Sequence, residues 1–140
     1  TYNPDLPWSE RYPAAGEATF TDGVIGGWTY SDKRWQGFLS DMDVTIDLGS
    51  VKPVHYIGGT FMQLTGPEVF MPEKVDVYVS VDGQEFTHVA EVWNDISVKN
   101  SDLLFRTFDT VCNHEARYVR YQAKRAVKTG WLFIDEIVIN

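Results

Sequence analysis

Apolar residues recur at every second position through much of this chain. Val44, Ile46 and Leu48 alternate with Asp43, Thr45 and Asp47, and Gly49 ends that run. Val75, Val77, Val79 and Val81 alternate with Asp76, Tyr78 and Ser80 before an Asp82-Gly83 turn. A period of two belongs to a strand with one buried face, and Asp-Gly between two such runs is a hairpin signal. The return strand is predicted over residues 86–93. A further run covers 118–123, with Val119 and Tyr121 on one face, and residues 131–139 form a strongly apolar closing strand. Nothing longer than a turn or two carries a 3.6-residue period. Pro53, Pro67 and Pro72 fall between the runs, where a missing N–H is harmless. Short strands divided by Gly and Pro turns predict an all-β fold, an antiparallel β-sandwich, as one domain over residues 1–140.

Composition narrows the function. The 140 residues carry 44% hydrophobic and 14% aromatic side chains, the make-up of a folded chain. A net charge of −8, with the basic residues scattered among the acids, argues against nucleic acid and against anionic membrane surfaces. No stretch approaches the ~20 apolar residues of a membrane helix. The locally basic stretch 117–128 reads as a solvated strand face. Cys112 is the lone cysteine, so no intrachain disulfide forms; it reads as a small core residue. Because the chain opens on Thr1, it is expected to be a processed chain or a piece of a longer one.

Chemistry concentrates in residues 21–38, TDGVIGGWTYSDKRWQGF, where aromatic rings sit among glycines and charges. The Asp22-Gly23 turn could aim main-chain carbonyls and a carboxylate at a hard cation such as Ca²⁺, but from the loop alone a solvated turn Asp is the safer reading. Asp135 and Glu136 are adjacent on a strand and point to opposite faces, so they cannot serve as a facing acid–base pair. No nucleophile elbow, zinc-protease helix or phosphate loop occurs. His55, His88 and His114 read as structural. As an isolated domain the chain is not expected to be an enzyme. Five Trp and seven Tyr exceed what the core needs, and such amphipathic rings suit the flat faces of sugars.

These residues resemble the F5/8 type C, or discoidin-like, domains, which include the family 32 carbohydrate-binding modules. The matching pieces are TDG at 21–23, RWQGF at 34–38, VTIDLGS at 44–50, MPEKVDVYVSVDGQEF at 71–86, ARYVRYQAK at 116–124 and WLFIDEIVI at 131–139. Their flavour is similar to modules appended to bacterial glycoside hydrolases of the β-hexosaminidase or chitobiase type. The resemblance implies a jelly-roll, galactose-binding-domain-like sandwich. It also implies a structural Ca²⁺ held by the carboxylates of Asp22 and Glu136 and the carbonyls of Thr19, Val24, Gly27 and Asp135. By the same resemblance Trp35 is core, as are Phe20, Phe86, Tyr118 and Phe133. Ligand contacts would come from the 63–72 loop and from the residue opening the last strand. That places stacking on Trp131 with Trp28 or Tyr30, and hydrogen bonding on Gln63 and Glu68. The Arg and His that galactose binders commonly use are not evident at matching positions.

The function so implied is a non-catalytic module that targets a parent bacterial hydrolase to glycan. Its expected partners are glycan and the parent's catalytic domain, with no nucleic acid and no membrane insertion. It would act as a monomeric module in the periplasm, on the cell surface or in secreted form. The alternatives are a structural spacer packed on the catalytic domain, or a discoidin-type protein- or lipid-binding module, which the acidity of the chain disfavours.

Overall fold

The computed structural model of the chain describes residues 1–16, 19 and 34–140. Six strands carry the fold: β1 (Gln36–Phe38), β2 (Met42–Gln63), β3 (Pro72–Ser80), β4 (Thr87–Trp93), β5 (Leu104–Arg125) and β6 (Leu132–Ile139). They hydrogen-bond in the order β1-β6-β2-β5-β3-β4, every pair antiparallel.

Two strands of 22 residues each, β2 and β5, turn this single ladder into a sandwich. The first part of β2 pairs with the end of β5, from Met42 opposite Ala123 to Asp47 opposite Tyr118. The register then breaks between Asp47 and Lys52. Beyond the break, β2 runs against the earlier part of β5 and against β6. β3 and β4 widen the first layer, and β6 and β1 widen the second. Gly49 sits in the break with φ +87, a conformation that an L side chain disfavours, and its N–H donates to Asp47 Oδ1 at 2.8 Å.

The alternation read from the sequence is what fills the core. Val44, Val75, Val77, Val119 and Tyr121 enter from one layer, and Ile57, Phe61, Phe108, Leu132 and Ile134 from the other. Phe61 joins the layers directly, stacking on Tyr121 with ring centroids 6.4 Å apart and meeting Phe108 edge-on at 5.5 Å. Each such buried side chain contributes about 1.5–3 kcal/mol. The Tyr121 hydroxyl donates to the Phe108 carbonyl at 2.9 Å, so this buried polar atom is satisfied.

Four expectations need correction. Gly49 does not end the first strand, and Pro53 does not separate two strands. Both lie within β2, in the stretch where the ladder breaks and passes between layers, and there Pro53 is exposed. The run at 118–123 is only the end of β5. Phe86 and Tyr118 are half-buried rather than core, with the guanidiniums of Arg120 and Arg117 lying 5.9 and 5.1 Å from their ring centroids.

The basic stretch after residue 116 is a strand face whose cations pair with acids: Arg117 with Asp47, Arg120 with Asp43, Lys124 with Glu73 and Arg125 with Asp41. The Arg120 fork is bidentate, at 2.8 and 2.7 Å. Burial pushes the Asp43 carboxyl up, but hydrogen bonds from Arg120 and Asn3 outweigh it and hold the group below its ordinary value. The hydrogen bond from Arg117 holds exposed Asp47 at about 2.

Candidate functional site

At one end of the sandwich three separate segments meet around aromatic rings. The residues that open β6 supply the first. Gly130 is buried, and a Cβ there would lie 2.6 Å from the Phe70 ring, so the backbone can approach only because the residue is glycine. Trp131 then bridges to Val69 in parallel fashion. Its N–H donates to the Glu68 carbonyl at 2.8 Å, and its carbonyl accepts from the Phe70 N–H at 3.1 Å. These bonds fix Trp131 against the 63–72 loop, which is itself closed by reciprocal Leu64–Val69 bonds of 2.8 and 3.0 Å.

The third segment is the turn at residues 9–12. Ser9 N–H donates to the Gly37 carbonyl at 2.7 Å, and Gly37 N–H donates to the Tyr12 carbonyl at 2.9 Å. A Cβ on Gly37 would come within 3.0 Å of Tyr12 Cβ and 3.1 Å of the Phe133 ring, so β1 needs glycine where the turn crosses it. The result is a cluster of three rings. Tyr12 meets Trp131 at 5.1 Å and 89°, and Phe133 at 4.8 Å and 70°; Trp131 and Phe133 lie 5.6 Å apart. These are the edge-on and tilted geometries that ring quadrupoles favour. Trp35, Met62, Val69 and Phe133 form the buried floor beneath.

Above this floor opens a cleft of about 200 Å³ lined by Arg11, Tyr12, Pro67, Val69, Trp131 and Phe133. That is below the roughly 300–1,000 Å³ of a site for a drug-sized ligand, and it suits one sugar unit. Trp131 is only partly buried and so keeps surface for a ligand. The exposed Arg11 guanidinium lies over the Tyr12 ring, 5.6 Å from its centroid.

The predicted site residues divide. The structure brings Trp131 and the 63–72 loop together. Glu68 is exposed beside them at φ +63, a left-handed backbone conformation unusual for a residue with a side chain, but it does not line the cleft. Gln63 is a correction: it has no exposed surface, and its amide is engaged with the protein. The NH₂ group donates to the carbonyls of Ser97 and Asn100 at 2.9 and 3.1 Å, while the amide oxygen accepts from Met71 N–H at 3.2 Å. Trp35 is buried, 1% exposed, and stacks on Phe105 at 5.7 Å. Trp28 and Tyr30 lie outside the described residues, as do Phe20 and the metal candidates Asp22, Val24 and Gly27. Arg11 and Tyr12 escaped the sequence reading, because Ser-Glu-Arg-Tyr-Pro before the first strand reads as an ordinary solvated turn.

The described members of the metal set occupy irregular backbone. Gly59 pairs with Ile137 and Phe61 with Ile134, so the two residues Asp135 and Glu136 oppose the single residue Thr60. This is a β-bulge, which lifts part of the strand out of regular pairing and often marks a functional edge. It also qualifies the simple opposite-face reading of these two acids. The Asp135 carboxylate accepts from the Glu136 N–H. Thr19 is buried, its hydroxyl accepting from Ala15 N–H at 3.0 Å and donating to the Gly16 carbonyl at 2.8 Å. Its segment is tied to β1 through Gln36, whose amide donates to the carbonyls of Pro13 and Gly16 at 3.1 and 3.0 Å. Gln36 in turn pairs with Ile134, next to the bulge. The Thr19 segment therefore lies beside the bulged part of β6.

Catalytic groupings are not evident among the described residues. His88 is bound to Asp76 at 3.0 Å on the outer face of the β3–β4 pair. Cys112 is half-buried, with its thiol 3.4 Å from the Val54 carbonyl, and burial pushes that thiol up, away from the reactive thiolate.

The F5/8 type C domain family model matches residues 8–137. No curated protein matches the chain significantly. Among solved structures, the fold is similar to the family 32 carbohydrate-binding module of NanJ from C. perfringens, solved in complex with galactose. That likeness has a TM-score of 0.63 and 19% identity, covering 95% of this chain and 88% of that one. The family 32 module of AlyQ, solved with 4,5-unsaturated mannuronic acid, aligns at TM-score 0.58 and 20% identity over 96% and 92%. A module from a family 31 glycoside hydrolase of Clostridium perfringens aligns at 0.55 and 14% over 97% and 94%.

Proposed function

The chain belongs to the F5/8 type C domain family, and from that premise we propose that it is a non-catalytic carbohydrate-binding module serving a bacterial glycoside hydrolase outside the cytoplasm. One observation carries the reading: Trp131, Tyr12 and Phe133 form a ring cluster that opens on a sugar-sized cleft with polar groups at its rim. Trp131 supplies an amphipathic face for the C–H side of a pyranose, and Arg11 lines the same cleft and can donate to a hydroxyl edge. The parent is read as a β-hexosaminidase or chitobiase type on the motifs alone. The similar modules hold a neutral sugar in one case and an acidic one in another, so the fold itself selects neither.

Such modules work at micromolar to millimolar Kd, about −8 to −4 kcal/mol, and raise local substrate concentration through the tether. The test is a glycan-array screen of the chain and of Trp131→Ala. Removing a central Trp costs about 2 kcal/mol or more, so roughly thirtyfold weaker binding is expected, with the melting midpoint little changed. Full binding by Trp131→Ala would refute the site.

On the same reading a Ca²⁺ ion ties the residues after Thr19 to the bulge at Asp135–Glu136. A bulged main chain can offer a carbonyl and a carboxylate together, the mixed oxygen set Ca²⁺ accepts. When bound, the ion would supply charge neutralisation and a cross-link, with no chemistry of its own. Thermal melts should show a lower midpoint in EDTA that excess Ca²⁺ restores; a midpoint indifferent to both removes the ion from the account.

A further inference from the structure

Among the described residues, no acid forms an ion pair with Arg11, although it lines the aromatic cleft. Two other clefts among the described residues differ. The one on the sheet face between Asp41, Lys74, Asp76 and Lys124 has its cations bound to acids, Lys74 to Asp76 and Glu91, and Lys124 to Glu73. The one near the first residues contains the closed Asp43–Arg120 fork. Those charges hold strands together. Arg11 instead is exposed, with its guanidinium carbon over the Tyr12 ring at 5.6 Å from the centroid. A cation so placed is drawn to the ring face and keeps N–H groups that can donate to a ligand.

Resting on the carbohydrate-binding reading, we infer that the cleft selects an acidic sugar, a uronate or another carboxylate-bearing terminal residue, with Arg11 as the specificity determinant. The ring face of the sugar lies on Trp131 and its carboxylate meets the Arg11 fork. A planar guanidinium matches a carboxylate with two parallel N–H···O bonds. The domain charge of −8 sets the limit on ligand size. A polyanionic chain laid across the surface would be repelled, whereas a single terminal acid is within reach of Arg11 and screened from most of the remaining charge. The ligand is therefore one acidic unit ending a glycan.

The test is ligand-observed NMR titration of the chain with matched pairs: galactose and galacturonate, glucose and glucuronate, mannose and mannuronate. In at least one pair the acid should bind about tenfold tighter, the size of one charge-assisted contact. That preference should shrink as NaCl rises to 1 M. It should also fall to near unity in Arg11→Gln and persist in part in Arg11→Lys, with both variants melting like the parent. Equal binding of acids and neutral sugars, or a preference that survives Arg11→Gln, overturns the inference. If neutral sugars bind in a Trp131-dependent way, the carbohydrate-binding reading stands without it. If no sugar of either series binds, the inference falls, and the glycan-array screen decides the carbohydrate-binding reading separately.

Discussion

Replacing Phe133 with Ala is expected to lower stability by about 3–5 kcal/mol and to remove glycan binding as well. Phe133 is wholly buried. It packs in the cluster with Trp35, Met62 and Val69, and its ring is the surface against which Tyr12 and Trp131 lean. Truncation leaves a ring-sized cavity that β1 and β6 cannot close, because their pairing fixes Gly37 opposite Phe133. For a domain of this size the loss corresponds to roughly 10–17 °C in midpoint. Binding should be lost even at temperatures where the variant is still folded, since the two ligand-facing rings no longer have a common support. Urea unfolding and sugar titration of the same sample separate the two effects. A loss below about 1 kcal/mol would mean that the ring is not packed as described, and unchanged sugar affinity would mean that the cleft does not depend on it. Trp131→Ala makes the contrast, with its main effect on binding, because Trp131 is held by main-chain bonds that survive its side chain.

The two-residue alternation at 44–48 and at 75–79 made the first layer of the sandwich legible, because those strands bury one face and wet the other; Val81, read as part of the second run, lies past the end of β3 and is exposed. The long course of β2 was not legible. Gly49 and Pro53 carry the marks of a strand end, yet here they serve a register break in which the strand changes layer. The first half of β5 was hidden for a different reason: its apolar residues, Leu104, Phe105, Phe108 and Val111, follow no strict period of two, and Val111 points into solvent. Part of the site came from motif resemblance, which paired Trp131 with the 63–72 loop. Arg11 and Tyr12 could not be found that way. Their role depends on Gly37 admitting a turn across β1, a tertiary contact without a local signature.

Gln63 shows the same limit most sharply, and it carries the second large effect. A polar side chain at a strand end, next to a predicted binding loop, reads as a ligand contact. Buried, it is instead the hub that ties β2 to the segment at 97–100 and to Met71 before β3. Gln63→Leu keeps much of the volume but strands the Asn100 carbonyl and the Met71 N–H, while the Ser97 carbonyl keeps only its bond from the Asn100 N–H. Each unsatisfied group costs about 1–3 kcal/mol, so a loss of about 3 kcal/mol or more is expected, less where a carbonyl turns outward to water. Amide exchange should locate it: Met71 N–H, protected in the parent, becomes fast in the variant. Gln63→Glu gives a sharper test, because an ionised carboxylate would face the carbonyls of Ser97 and Asn100. Burial and those dipoles raise the folded-state pKa of the introduced carboxyl above its unfolded value. The acid's contribution to stability is then fully present below the unfolded pKa and is lost as pH rises through the folded one. This variant should therefore be more stable near pH 4 than near pH 7, relative to the parent at each pH. If denaturation shows no such relative gain at low pH, or if Gln63→Leu melts like the parent while sugar affinity falls, Gln63 is a ligand contact after all and the loop is held by other bonds.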